Sequence, residues 1–214
     1  MHHLEELSDQ IRERFDALND ARDKALVQTR TLTRHCAHAI RAVHREEREN
    51  AEKELEAAKR IVTGLIASLR EEHPSLYFAG YSQDALKEYA EARIVYALVD
   101  DLALPTHTEL ELEPATYLKG LAEAVGEMRR RILDLLRGGH SSEVERLLGH
   151  MDDIYAVLVT MDYPDAVTHG LRRQTDITRS IIERTRGDVT LSFRQEQLEK
   201  TIRQAEKNIQ TNGD

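Results

Sequence analysis

With 214 residues, a net charge of −9 and 32% charged residues, the chain is long enough for one sizeable core and too acidic to be an indiscriminate nucleic-acid binder. Aromatics at 5%, only four prolines and frequent Leu, Ala, Glu and Arg indicate an all-α protein. The single cysteine, Cys36, excludes an internal disulfide and suggests a reducing compartment, read here as the cytoplasm; no apolar run approaches the roughly 18 residues of a membrane span, and no charged-then-apolar leader opens the chain.

Pro74, Pro105, Pro114 and Pro164 fall where helical patterns end or begin. Proline inside a helix costs about 3 kcal/mol, so these positions divide the chain into segments. The first segment, about 4–49, reads as one very long helix or as two joined near Asn19–Asp20. Its partner spans 51–73, with Leu55, Ala58, Ile61, Val62, Leu65, Ile66 and Leu69 as the apolar face. A helix over 82–103 follows, then the irregular stretch LPTHTELELEP. Pro114 suits the first turn of the next helix, 115–137, which Gly138–Gly139 should stop. Ser141–Ser142 cap a helix to about Met161, and Pro164–Asp165 open another to Arg186. Gly187–Asp188 are expected to separate it from a polar last helix ending near Asn208, whose narrow stripe of Leu191, Leu198, Ile202 and Ala205 wants a partner helix. The expectation is one domain over residues 1–214, a bundle of about seven helices.

The third helix organises the rest. Asp84, Glu88, Glu91, Val95, Leu98 and Leu102 share one stripe, while Leu86, Tyr89, Ala90, Tyr96 and Ala97 make the other side apolar too. A helix apolar on two sides is surrounded by other helices, and carboxylates on such a seam need a positive partner: Arg93, a lysine from a neighbour, or a divalent metal.

Glu88 and Glu91, three apart, share a helix face; Glu123 and Glu127, four apart, share another. Hard cations such as Mg²⁺ take oxygen ligands and keep several waters, so a few carboxylates from two helices suffice to hold one. The plainer reading is that these are solvated helix faces. Arg30, Arg34, His38, Arg41, Arg45 and Arg48 recur every three or four residues on the first helix, a cationic ridge that could track a phosphate backbone, although a charge run is more often simply solvated. There is no zinc-type Cys/His spacing, no Gly-rich phosphate loop and no Glu-x-x-His pairing of the di-metal bundles. Cys36 reads as a packed core residue, and Gly120 and Gly126 within a helix suggest close approach of another backbone.

The phrase PATYLKGLAEAVGEMRRRILDLL (114–136) is similar to the Y-L-x-G stretch of the translin family. LKEYAEA (86–92) resembles the acidic motif of its translin-associated factor X (Trax) branch, and RDKALVQTRTLTRHCAHAIRAVHR (22–45) resembles the family's first long helix. IYAVLVTMDYPDAVTHGLRRQTDITRSIIERT (154–185) resembles its late segment, so the order is kept over nearly the whole chain. The resemblance implies a translin-like all-α protomer of seven helices, assembly into a hollow barrel, typically an octamer, and binding of single-stranded RNA or DNA inside it. For the Trax branch it also implies a metal-dependent endoribonuclease using Mg²⁺, or Mn²⁺ in its place, in a homo-oligomer or beside a translin-type partner subunit. Carried onto this chain, the metal-holding and catalytic carboxylates fall on Glu88, Glu91, Glu123 and Glu127, with Arg30, Arg34, His38, Arg41 and Arg45 guiding the strand. Two departures stand out: the Trax-type residue at position 123 is usually Asp, and the family's basic stretch before the acidic motif is replaced by YFAGYSQDA (77–85). Rival expectations are a translin-type binding protein that does not cut, and an all-α nucleotide pyrophosphohydrolase, which also uses Glu-x-x-Glu pairs with Mg²⁺.

Overall fold

The computed structural model describes residues 2–211, and every regular element among them is a helix. They are α1 (His2–His44), α2 (Arg48–Leu69), α3 (Pro74–Tyr77), α4 (Gly80–Val99), α5 (Pro114–Leu136), α6 (Ser142–Val159), α7 (Asp165–Thr168) and α8 (Leu171–Thr211). Six are long; α3, of 4 residues, is an addition to the expected set, while α7, also of 4, is the opening turn of the helix expected from Pro164–Asp165, cut short before α8. No described helix is long and apolar enough to cross a membrane.

The chain divides into two compact units, one of residues 1–97 with 104–120, the other of 98–103 with 121–214. In the first, α1 is unbroken over 43 residues, about 65 Å at 1.5 Å per residue. Asn19 and Asp20 are poor helix formers, but neither is Gly or Pro, and the cost of keeping them helical is only about half a kcal/mol each. Glu46, with φ of 61°, turns the chain back into α2. Leu32, Cys36, Ala39 and Val43 of α1 are then buried in the same unit as Ala51, Leu55, Ala58, Val62, Leu65 and Leu69 of α2. Of the seven residues expected on the α2 face, only Ile61 and Ile66 remain half-exposed. Across to α4, Tyr96 Oη donates to Glu52 Oε1 at 2.6 Å. The α3–α4 corner is tied by Ser82 Oγ donating to the Leu76 carbonyl (2.7 Å) and Gln83 Nε2 to that of Tyr77 (2.8 Å).

In the second unit α6 begins as its sequence indicates, with Ser141 as N-cap accepting from the Val144 amide. Val144, Leu147, Leu148, Met151, Ile154 and Leu158 of α6 are buried, as are Met128 and Ile132 of α5 and Ile182 and Val189 of α8. Arg146 of α6 donates to the carbonyls of Leu98 (2.7 Å) and Val99 (3.1 Å), two groups that the end of a helix leaves without an internal partner. The expected break at Gly187–Asp188 does not occur: α8 runs through both. The chain breaks instead at His169–Gly170, where φ is 50° and 88° and Asp165 Oδ1 accepts from the Gly170 amide at 2.6 Å.

Candidate metal centre and cationic ridge

Helix α4 is buried almost all round, as its two-sided apolar pattern requires: Leu86, Tyr89, Ala90, Ile94, Val95 and Ala97 are core residues. Its acidic stripe is therefore drawn partly inside. Glu91 is 8% exposed, an unusual degree of burial for a carboxylate. Glu88 is half-buried, and its Oε1 lies 3.2 Å from Lys87 Nζ. The neighbouring Cys36 thiol is fully buried; desolvation pushes its pKa up, and the charges of Glu88 and Glu91 push it further. Cys36 is thus a core residue and no thiolate nucleophile.

Helix α5 reaches this stripe because Gly120 lacks a side chain. A Cβ at position 120 would stand 2.6 Å from Ala90 Cβ, 2.9 Å from the Lys87 carbonyl oxygen and 3.0 Å from the Glu91 amide nitrogen. The backbone of α5 thus lies directly against α4 at Glu91. Glu123 follows one turn later on the same helix, and its Oε1 accepts from Gln174 Nε2 at 3.2 Å. One carboxylate oxygen from each of Glu88, Glu91 and Glu123 lies within 4.8 Å of the others, a group that could hold a metal ion. Glu127, a further turn along, is outside that group and lies 3.8 Å from Arg130.

The donor set suits a hard cation. Three carboxylates offer only oxygen, and octahedral Mg²⁺, with bonds of about 2.1 Å, holds oxygens about 3 to 4.2 Å apart. Small rotations of flexible Glu side chains span the difference. Holding a cation would also compensate the cost of collecting three like charges, one of them buried.

All five ridge residues are exposed: Arg30, Arg34, His38, Arg41 and Arg45. Arg30, Arg34 and Arg45 have no ion-pair partner among the described residues. Arg41 Nε donates to the Ala37 carbonyl, and His38 Nδ1 is 3.9 Å from Glu54 Oε2, which His35 already holds at 2.6 Å. Arg48 does not extend the ridge, because the turn at Glu46 places it in α2, where it pairs with Glu52. Ridge and acidic stripe meet at one cavity of about 420 Å³ between α1 and α4, lined by Arg30 and Glu88 among others.

Spacing arguments did not mark Lys87 or Gln174. Lys87 shares a tetrapeptide with Glu88 but had no visible reason to fold back upon it. Gln174 is 51 residues from its partner Glu123, a separation that no local pattern spans.

A long all-α chain with a cluster of carboxylates carried on two helices is the class these features define. No family model matches the chain. It is 30% identical over 189 residues to the uncharacterised protein MJ0175 of Methanocaldococcus jannaschii, covering 88% of this chain and 83% of that one. Among solved structures it is similar to AfC3PO alone (TM-score 0.79) and to AfC3PO in complex with duplex RNA (TM-score 0.78). Both are 32% identical, with 86% of this chain and 95% of theirs covered. Apo-NeC3PO, at 21% identity with 86% and 96% covered, shares the fold at a TM-score of 0.78. The chain belongs to the translin/Trax family.

Proposed function

We propose that this chain is a Trax-like, Mg²⁺-dependent endoribonuclease that binds single-stranded RNA within a closed oligomeric particle in the cytoplasm and cleaves it. The observation that carries this reading is the group formed by Glu88, Glu91 and Glu123, whose oxygens lie within 4.8 Å of one another. Similarity at 32% identity to AfC3PO, which has been solved with duplex RNA, supports an RNA ligand. When bound, the cation supplies activation of a water and stabilisation of the leaving oxygen in phosphodiester cleavage. Glu88, Glu91 and Glu123 would be its ligands, and Glu127 would add a further negative charge one turn along α5. Gln174 fixes the orientation of Glu123, and Lys87 that of Glu88. Arg30, Arg34, His38, Arg41 and Arg45 draw the strand along α1 toward these carboxylates, a contact that salt should weaken steeply.

Glu123→Ala tests the assignment. Losing a ligand should lower Mg²⁺-dependent cleavage of a single-stranded RNA at least about a hundredfold, since a bound cation contributes several kcal/mol to the transition state. Calorimetric Mn²⁺ binding should weaken in parallel, while RNA affinity without divalent ions stays at the wild-type level. Wild-type rates in the purified variant would mean the ligands are elsewhere. One feature favours the translin-type reading, a binder that does not cut: Glu127 stands apart from the group of three. RNA retained by the wild-type protein, with no Mg²⁺-dependent cleavage, would select it.

A further inference from the structure

Lys87 is an unusual lysine. Its side chain is only 14% exposed, although lysine is rarely drawn so far inside unless it is paired. Its Nζ lies 3.2 Å from Oε1 of Glu88, the next residue on α4. Side chains one position apart on a helix do not ordinarily face each other, so the ammonium is folded back on its neighbour at a cost in rotamer freedom. Orienting Glu88 does not by itself call for a charge. The neutral amide of Gln174 does as much for Glu123.

The charge has a consequence of its own. Glu88, Glu91 and Glu123 together with Lys87 carry a net −2, the complement of one divalent cation. Neighbouring charges leave that sum unaltered: Glu127 is offset by Arg130 at 3.8 Å, and Arg30 and Asp84, which line the cavity at Glu88, are of opposite sign. Three carboxylates without the ammonium would hold a divalent ion more tightly and favour ions of higher charge. An ion on Glu88 shares that carboxylate with Lys87, at a range where salt screens little. We propose that Lys87 sets the charge of the metal centre: its ammonium weakens the hold on a divalent ion so that the ion exchanges, and turns away trivalent ions. It also offsets part of the repulsion among the carboxylates when no ion is held. The inference rests on the reading of Glu88, Glu91 and Glu123 as metal ligands and adds what selects the ion. Lys87 acts through Glu88 and is a positioning residue whose charge matters beyond its reach.

Two variants separate charge from orientation. Lys87→Gln keeps a hydrogen-bond donor and a good helix former but removes the charge, whereas Lys87→Arg keeps the charge. Calorimetry with Mn²⁺ and luminescence titration with Tb³⁺ read ion affinity in each purified protein without RNA. Lys87→Gln should bind Mn²⁺ about tenfold and Tb³⁺ about thirtyfold tighter than wild type, because a fixed charge acts in proportion to the charge on the ion. Lys87→Arg should stay within about twofold of wild type for both ions. Without divalent ions Lys87→Gln should melt earlier than wild type, and added Mn²⁺ should raise its melting temperature by the larger amount. Affinities of Lys87→Gln equal to or weaker than wild type, or the same tightening in Lys87→Arg, overturn the proposal and leave Lys87 only orienting Glu88. If neither the wild-type protein nor Lys87→Gln binds Mn²⁺, the metal centre itself is overturned, and this inference with it.

Discussion

Two glycines on α5 that look alike in the sequence do opposite things. Gly120 and Gly126 both lie within the helix, and both invite the explanation that another backbone comes close. Only Gly120 fits it: a Cβ there would meet Ala90, Lys87 and Glu91 within 3.0 Å, whereas a Cβ at position 126 would meet no other part of the protein within 4 Å. Gly120→Ala must therefore push α5 away from α4, at a cost of about 1–3 kcal/mol typical of overpacking. The shift acts one turn before Glu123, so the variant should melt earlier and bind Mn²⁺ more weakly in calorimetry. Gly126→Ala should gain roughly 1 kcal/mol from helix propensity and melt later. Equal effects at the two positions would show that the close approach at Gly120 is not what sets the spacing. The types and periodicity of Glu88, Glu91 and Glu123 were legible in the sequence because helix spacing is a local property. Gln174 was not, because its contact with Glu123 joins positions 51 residues apart, and the Lys87–Glu88 contact was not, because adjacent side chains on a helix do not ordinarily face each other.

Helix α8 shows the same limit at the scale of an element. Gly187–Asp188 carries the composition of a helix stop, yet the helix continues, because neighbouring residues are anchored from outside. Ile182, Thr185 and Val189 are buried. Arg129 of α5 reaches both Thr185 (3.1 Å) and Asp188 (2.8 Å), and Arg186 holds Asp152 of α6 at 2.6 Å. Against these, one helical glycine costs only about 1 kcal/mol. The real break, His169–Gly170, is written in less conspicuous residues and depends on the left-handed backbone there. The pair makes a direct comparison. Gly187→Ala, with nothing within 4 Å of the new methyl, should stabilise the protein in urea unfolding by about 0.5–1 kcal/mol. Gly170→Ala, at φ of 88°, should destabilise it by about 1 kcal/mol or more, although its Cβ also meets nothing. Steric room is the same in both variants, so a difference of sign isolates backbone conformation as the cause.

At the scale of the molecule, the apolar residues that the chain leaves uncovered carry the argument. The fold class and the order of long helices were legible because proline positions and amphipathic periods are written locally. What covers each apolar stripe was not. Near the start of α1, Leu4 (70%), Leu7, Ile11 and Phe15 (65%) remain exposed, and along the distal half of α8 so do Leu191, Phe193, Leu198 (60%) and Ile202. Leu4, Leu7 and Ile11 follow helical spacing, as do Leu191, Leu198 and Ile202, so each set presents an apolar stripe on a helix otherwise rich in charge. Monomers seldom leave such stripes in water, and burial against further copies would contribute about 25 cal/mol for each Å² covered. The proposed oligomer therefore predicts that light scattering will find a closed particle several times the mass of the 24.5 kDa chain, near eightfold for an octamer. Leu198→Glu combined with Ile202→Glu should release smaller species while circular dichroism stays helical, because neither residue belongs to the core of its own chain. If wild type and variant both run as monomers at micromolar concentration, the stripes serve some other contact and the enclosed particle is lost from the proposal. The carboxylate group of α4 and α5 would survive that outcome, since its three residues come from one chain, and cleavage by the monomer would then be the quantity to measure.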